Sequence, residues 1–120
     1  AMAAHPKSLL HAIAAEQGCV DGRTAFLAGE CGDEAGAQVV EEYIEYLACG
    51  LTNLVNIFFP EVLALSGGVA EQGDALLVPL RERVRERSFG SRYAASHTRI
   101  ERCTLGYRAG VIGAAMLARP

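Results

Sequence analysis

Hydrophobic residues recur at helical spacing over much of the chain and form one short continuous apolar run. Between Asp33 and Pro60 they recur at steps of three and four, with glutamates on the other side, which predicts a helix of about 25 residues docked on a sheet. Proline lacks an amide donor and disfavours a helical residue before it, so Pro60 ends this helix. The predicted inward stripe is Val39, Tyr43, Leu47, Leu51, Leu54 and Phe58.

The continuous run is Val62-Leu63-Ala64-Leu65, which has no polar alternation. This pattern predicts a strand covered on both faces, as in a parallel α/β sheet. Residues 97–104 alternate weakly and predict a second strand. A helix lies between the two, so the strands are expected to run parallel.

Two short helices are expected before the long one. Ser8 is a candidate N-cap for a helix to Gln17, and Gly18 ends it. Asp21 is a candidate N-cap for a second helix over residues 24–31. Residues 1–7 show no periodic pattern and are predicted to be a disordered or tag-derived N terminus, so the domain is expected to cover residues 8–120.

Two further helices are expected after the first strand. Pro79 is tolerated in a first turn, so the regular part of the first of these is predicted to begin near Val78. Residues 88–95 are predicted to be a loop, and residues 108–118 a helix rich in small side chains that forms a closely packed crevice wall. The residues predicted to face inward on the earlier helix are Leu76, Leu77, Leu80 and Val84.

Charge and composition exclude several classes of function. The net charge is −3, and a run of alternating arginines and glutamates at residues 81–87 is expected to be a solvated surface, so no nucleic-acid partner is expected. No apolar run reaches the roughly 18 residues of a membrane span. The four cysteines lack close spacing and no leader precedes them, which predicts reduced thiols, no metal site and a cytoplasmic location.

The strand at residues 62–65 runs into Ser66, Gly67, Gly68 and Val69, after which another helix is expected. Glycine lets a backbone approach a ligand closely, and amides at a helix start point toward negative charge. This turn is therefore the candidate phosphate-binding site. The competing interpretation is a tight turn with no ligand.

Three motifs in order carry a family resemblance. The chain is similar to the C-terminal half of ROK-family sugar kinases, in particular the bacterial glucokinase branch. Serine stands at Ser66 where that family commonly has a third glycine. The motifs are Gly50-Leu51-x-Asn53-Leu54-Val55-Asn56-Ile57-Phe58-x-Pro60-Glu61-Val62, Ser66-Gly67-Gly68-Val69, and Leu105-Gly106-x-x-Ala109-Gly110-Val111-Ile112-Gly113-Ala114-Ala115.

The resemblance implies a helix-rich, partial ribonuclease-H-like (actin-like ATPase) C-terminal domain of the α/β class with a short parallel strand pair. It implies ATP or ADP with Mg as the cofactor and a hexose as the substrate of the complete kinase. Ser66, Gly67, Gly68 and Val69 would lie by the nucleotide. The catalytic aspartate of the family belongs to the part before the long helix, so the resemblance assigns no catalytic residue here and predicts that the chain is inactive alone.

Two strands cannot bury a sheet, so an open edge is expected where strands of a missing N-terminal kinase half would pair. Self-association into a homodimer would cover such an edge. Two alternatives to the kinase remain open: the sugar-sensing and dimerisation half of a ROK-type transcriptional repressor, and a non-catalytic interaction module.

Overall fold

The computed structural model describes residues 1–92 and 97–118, with only the backbone at residues 91, 92 and 107. The described chain alternates helices with two short strands, as the pattern predicts. Short 3₁₀ turns cover Gly68–Gln72, Phe89–Arg92 and Gly106–Arg108. The main elements are α1 (Leu9–Gln17), α2 (Gly22–Glu30), α3 (Glu34–Phe58), β1 (Val62–Leu65), α4 (Asp74–Arg87), β2 (Arg99–Arg102) and α5 (Ala109–Leu117).

The strands β1 and β2 pair in parallel, which confirms the predicted strand pair. Val62 lies opposite Arg99, and Leu65 lies opposite Arg102. The Cys103 amide donates to the Leu65 carbonyl at 2.7 Å and extends the pairing past the last strand residue. Residues 93–96, which belong to the predicted loop 88–95 or adjoin it, lie outside the described residues.

The first three helices begin at the N-cap residues that the sequence predicts, although α2 starts at Gly22 instead of residue 24. The Ser8 side chain caps α1, and the Asp21 side chain accepts from the Arg23 and Thr24 amides at the start of α2. Asp33 accepts hydrogen bonds of 2.8 Å from the Ser8 hydroxyl, the Leu9 amide and the Gly36 amide, so one carboxylate joins the starts of α1 and α3. These bonds, that from Leu9 foremost, hold the pKa of Asp33 below its usual value.

The main core lies between α3, α4 and one face of the strand pair. The predicted inward residues of α4 are all buried, and Leu80 has no exposed surface. The buried members of this core are Phe26, Ile44, Ala48, Leu51, Val55, Leu76, Leu77, Leu80, Val84 and Ile100.

The predicted inward stripe of α3 was wrong in its rotation. Leu51 is buried, but Tyr43 is 40% exposed and Phe58 is 71% exposed. The buried stripe instead runs through Ile44, Ala48, Leu51 and Val55. The reason is that α2 and α4 pack against α3 and determine which of its faces is buried.

The strand β1 is covered on one face instead of the predicted two. Leu63 and Leu65 are partly buried against the core, whereas Val62 and Ala64 are exposed. In the described part of the chain, the packed helices α3 and α4 cover the face that carries Leu63. The strand therefore carries more apolar side chains than this chain alone buries.

The helix α4 begins at Asp74, four residues before the predicted start at Val78. The amides of Leu76 and Leu77 both donate to the Gly73 carbonyl, at 3.2 and 2.9 Å, which closes the first turn. Pro79 therefore lies inside the helix. Burial of the two leucines stabilises this earlier start despite the hydrogen bond that proline cannot donate.

The charged run at residues 81–87 lies at the surface of α4, as predicted, and its arginines also join α4 to its neighbours. Arg83 pairs with Glu41, and Arg87 donates twice to Glu45, at 2.7 and 2.9 Å. The hydrogen bonds from Arg87 are the main reason that the pKa of Glu45 is lowered. Such exposed pairs add little stability individually, but the pattern fixes how α4 lies along α3.

The helix α5 forms where predicted but does not form a packed wall in this chain. None of its residues is buried, and Leu117 is 89% exposed. Residues 1–7 form turns, and His11 Nε2 lies 3.1 Å from the Met2 carbonyl oxygen. The disordered or tag-derived character of this segment stays a prediction. Within the described ranges, no helix is both long and apolar enough to cross a membrane.

Candidate functional site

The carboxyl ends of β1 and β2 open at the same edge of the strand pair, and a glycine-containing turn follows each strand. Ser66 and Gly67 follow β1, and Gly106 follows β2 within four residues of its end. The Ser66 hydroxyl donates to the Gly106 carbonyl at 3.3 Å, which brings the two turns together. Ligands of open parallel sheets bind at this edge, so a ligand site is expected here.

The turn Ser66–Val69 exposes its backbone. Gly67 has a φ of 105° and a ψ of 171°, which residues with a side chain rarely adopt. A Cβ atom placed on Gly67 or Gly68 would meet no heavy atom within 4 Å. The space above these two residues is therefore open to a ligand, and the glycines permit close approach to the main chain.

Between Gly67 and α4 lies a five-residue 3₁₀ turn, Gly68–Gln72. Its hydrogen bonds begin with the Ala70 amide, which donates to the Gly67 carbonyl at 3.1 Å. The regular helix α4 starts only after Gly73, whose φ of 59° interrupts the backbone between the 3₁₀ turn and α4. The four predicted site residues thus lie in a turn ahead of α4.

An ion pair crosses the same edge. Arg102, the last residue of β2, lies 3.1 Å from a carboxylate oxygen of Glu71 in the 3₁₀ turn. The other Glu71 oxygen lies 3.7 Å from where a Cβ on Gly106 would stand. No signal in the sequence indicates this pair, because the two residues are 31 positions apart and neither belongs to a recognisable motif.

A cleft of about 470 Å³ lies beside the turn, with Val69 on its wall. Its other walls are mostly apolar and come from the N-terminal segment, α1, α2 and α3. A Cβ on Gly22 would lie 2.5 Å from Val69 Cγ2, so the start of α2 contacts the turn closely. Asp21 lines the cleft, and its pKa is lowered chiefly by a hydrogen bond from Arg23. The volume is in the range of small-molecule sites.

No metal-binding cluster of three or more His, Cys, Asp or Glu side chains occurs in residues 1–92 and 97–118. Glu71 is a carboxylate beside the turn, but it is already paired with Arg102. The site thus offers a bare backbone, one ion pair and an adjoining apolar cleft.

This arrangement of helices and parallel strands is part of the actin-like ATPase fold. The chain belongs to the ROK family, whose family model matches residues 3–120. In structure it is similar to a ROK family glucokinase from Streptomyces griseus, solved in complex with glucose and AMPPNP. That match has a TM-score of 0.77 and 26% identity, and covers 98% of this chain and 38% of the other.

Curated relatives include a glucokinase of Halalkalibacterium halodurans. It is 30% identical over 115 residues, which cover 96% of this chain and 34% of the relative. A protein of Caldicellulosiruptor described as a xylose repressor is 39% identical over 67 residues, or 56% of this chain and 16% of that protein. The chain therefore spans about a third of the length of the glucokinase that it matches.

Proposed function

We propose that this chain supplies part of the nucleotide site of an ATP-dependent sugar kinase of the glucokinase type. The complete protein would transfer a phosphoryl group from ATP to a hexose hydroxyl in the cytoplasm. The open backbone of Gly67 and Gly68 at the carboxyl end of β1 carries this proposal. The likeness to a glucokinase solved with AMPPNP and glucose supports it.

The four residues Ser66, Gly67, Gly68 and Val69 have distinct proposed roles. The phosphates would lie against the main chain of Gly67 and Gly68, where no protein atom occupies the space. The Ser66 hydroxyl, now donating to the Gly106 carbonyl, is available to turn toward a phosphate oxygen. The nucleoside would extend past Val69 into the adjoining apolar cleft, whose volume of about 470 Å³ is sufficient for it.

Magnesium fits this site only when it is bound to the phosphates of the nucleotide. The nearby Glu71 carboxylate is held by Arg102, and a dedicated carboxylate cluster is absent from the described residues. Mg²⁺ commonly keeps several waters and binds through the phosphates with one or two carboxylates. We therefore propose that Mg enters with ATP or ADP, and that the chain alone does not phosphorylate a hexose because other parts of the kinase supply the base.

The repressor alternative is supported by the match to the Caldicellulosiruptor protein, which covers 56% of this chain. Glucokinases match more of it, up to 96%, and this favours the kinase. A non-catalytic interaction module would retain the fold without binding nucleotide. Nucleotide binding by the isolated chain separates that module from the kinase proposal.

Calorimetric titration of ADP with magnesium into the chain tests the proposal. We expect saturable binding, and we expect Gly68→Val to weaken it at least tenfold, on the order of 1.4 kcal/mol or more, by filling the ligand space. Valine at this position meets no protein atom within 4 Å at its Cβ and requires no unusual backbone angle, so the variant should fold normally.

The matched control is Gly50→Val on α3, where a Cβ also meets no atom within 4 Å. It should bind ADP as the original chain does. Absence of binding by the folded chain, or equal binding by Gly68→Val, would reject the proposed site.

We also propose that the chain forms a homodimer through the exposed β1 region. Apolar side chains cluster in sequence and space around this strand: Ile57 and Phe58 end α3, Val62 begins β1, and the Phe89 amide bonds to Asn56. Phe58 and Phe89 are 71% and 76% exposed. A second copy pairing along β1 would cover both the strand edge and this apolar patch.

Light scattering over a range of protein concentrations tests self-association. We expect a dimer that Val62→Lys weakens, because a charged side chain on an edge strand opposes pairing between copies. Val78→Lys provides the control, since Val78 is exposed on α4 outside the patch. A monodisperse monomer at every concentration, or equal loss in both variants, would contradict this dimer.

A further inference from the structure

A second cleft, of about 220 Å³, lies between α4 and the amino end of β2. Arg81, Arg85, His97 and Arg99 line it, and we call it the basic cleft. Arg99 is the first residue of β2, whereas the glycine turn lies beyond the last. The two sites are therefore separated by the length of a short strand, roughly 10 Å.

The charge of the basic cleft is not balanced by its own acidic residues. Glu101 is the carboxylate on its wall, and it is paired with Arg81 at 2.9 Å. Within the part of the chain that the structure describes, the Arg99 side chain has no hydrogen bond or ion pair. The cleft therefore combines three guanidinium groups with one carboxylate in a protein whose net charge is −3.

Two other arginines of α4 have acidic partners on α3. Arg83 and Arg87 face α3, where Glu41 and Glu45 neutralise them. The basic cleft thus does not result simply from the arginine content of the helix. On the β2 side of α4, Arg81 and Arg85 instead line one cleft together with Arg99, and the acidic residue on the wall there is Glu101, the partner of Arg81.

One cationic group is held in place before any ligand arrives. Arg81 Nε donates to the Ile100 carbonyl at 2.7 Å while its Nη2 contacts Glu101. The hydroxyls of Ser88 and Thr98 are already used, because each donates to a carbonyl at 2.6 Å, of Val84 and Pro60 respectively. The guanidinium groups are consequently the main donors that the cleft offers.

The floor of the cleft is apolar. Val55, Phe59 and Val84 provide aliphatic and aromatic surface beside the cationic groups. A site of this kind favours a ligand with an anionic head and a small apolar or weakly polar body. Its volume is below the usual range for larger organic ligands, so the ligand is expected to be small.

We propose that the basic cleft binds a small organic phosphate monoester, at a site distinct from the glycine turn. A phosphate dianion presents three oxygens, and guanidinium groups form strong charge-assisted hydrogen bonds to such oxygens. Several guanidiniums around one head group suit this charge better than that of a monocarboxylate. The apolar floor receives the organic substituent.

Phenyl phosphate is a suitable probe because it combines a phosphate head with a compact apolar ring. Titration into the ¹⁵N-labelled chain, followed by amide chemical shifts, should give saturable changes at Ser88 and at residues 98–101. Arg99→Gln should weaken binding at least tenfold, because it removes a charged hydrogen-bond donor. Arg102→Gln, on the same strand but outside the cleft, should leave binding of phenyl phosphate unchanged.

Inorganic phosphate and phenol separate the contributions of the two parts of the probe. Each should bind more weakly than phenyl phosphate if head group and floor both contribute. Absence of saturable shifts, shifts centred on Gly67 and Gly68, or equal weakening by Arg99→Gln and Arg102→Gln would overturn the proposal. The last result would show a general charge effect instead of a site.

Discussion

Gly36→Val is expected to lower the free energy of unfolding by about 3 kcal/mol, because it overfills the contact between α2 and α3. A Cβ on Gly36 would lie 2.6 Å from Ala28 Cβ and 2.9 Å from the Gly29 amide nitrogen. Neither atom is the end of a flexible side chain, so the two helices must move apart. Movement would also disturb the bond of 2.8 Å from the Gly36 amide to Asp33.

Chemical denaturation measures this effect, with Gly50→Val as the matched control on the same helix. Open space surrounds Gly50, and valine and glycine differ by only a few tenths of a kcal/mol in helix preference, so the control should change stability by less than about 0.5 kcal/mol. Equal stability of the two variants would show that α2 and α3 do not cross as closely as described.

Leu80→Ala is expected to destabilise the chain by about 3 kcal/mol, because it leaves a cavity between α3, α4 and the strand pair. Leu80 has no exposed surface and belongs to the main core. The core to which it belongs is built from several elements, including Ile44 and Val55 of α3 and Ile100 of β2, so local movement of one helix cannot close the gap.

Thermal unfolding compares this variant with Val78→Ala. Val78 lies two residues earlier on α4 and is 55% exposed, so its truncation should cost less than about 0.5 kcal/mol. A small effect of Leu80→Ala would mean that α4 does not face the strands through this residue.

The elements that the sequence predicted well are those fixed by local chemistry. Ser8, Asp21 and Asp33 each begin a helix because their side chains accept from amides two or three residues ahead. Pro60 lies two residues after the end of α3, and Phe59 between them adopts the left-handed conformation with a φ of 44°. Such signals need no knowledge of the rest of the chain.

The features that the sequence did not reveal, or predicted wrongly, depend on partners distant in sequence. Nothing near Arg87 indicates that it binds Glu45, 42 residues earlier. The predicted rotation of α3 was likewise wrong, because Tyr43 and Ile44 both fit an apolar helical pattern and only the packed helices decide which of them is buried. Periodicity locates a helix more reliably than it orients one.

The candidate site likewise has one part that the sequence predicted and other parts that it did not. The turn at Ser66–Val69 was predicted from a motif, because glycines after a strand are visible in the sequence. The Glu71–Arg102 pair and the cleft beside Val69 were not, because they form only when β2 and the start of α2 meet the turn. The central claim is that the turn, the ion pair and the cleft act together to bind a nucleotide.

The most direct test of that claim is an amide chemical-shift map of the ¹⁵N-labelled chain during titration with Mg·ADP. The account predicts saturable shifts at Gly67, Gly68 and Val69, extending to Gly22 across the contact with Val69 and leaving the middle of α3 unchanged. Saturable shifts located elsewhere, or none in a folded chain, would contradict the assignment of the nucleotide site to this turn.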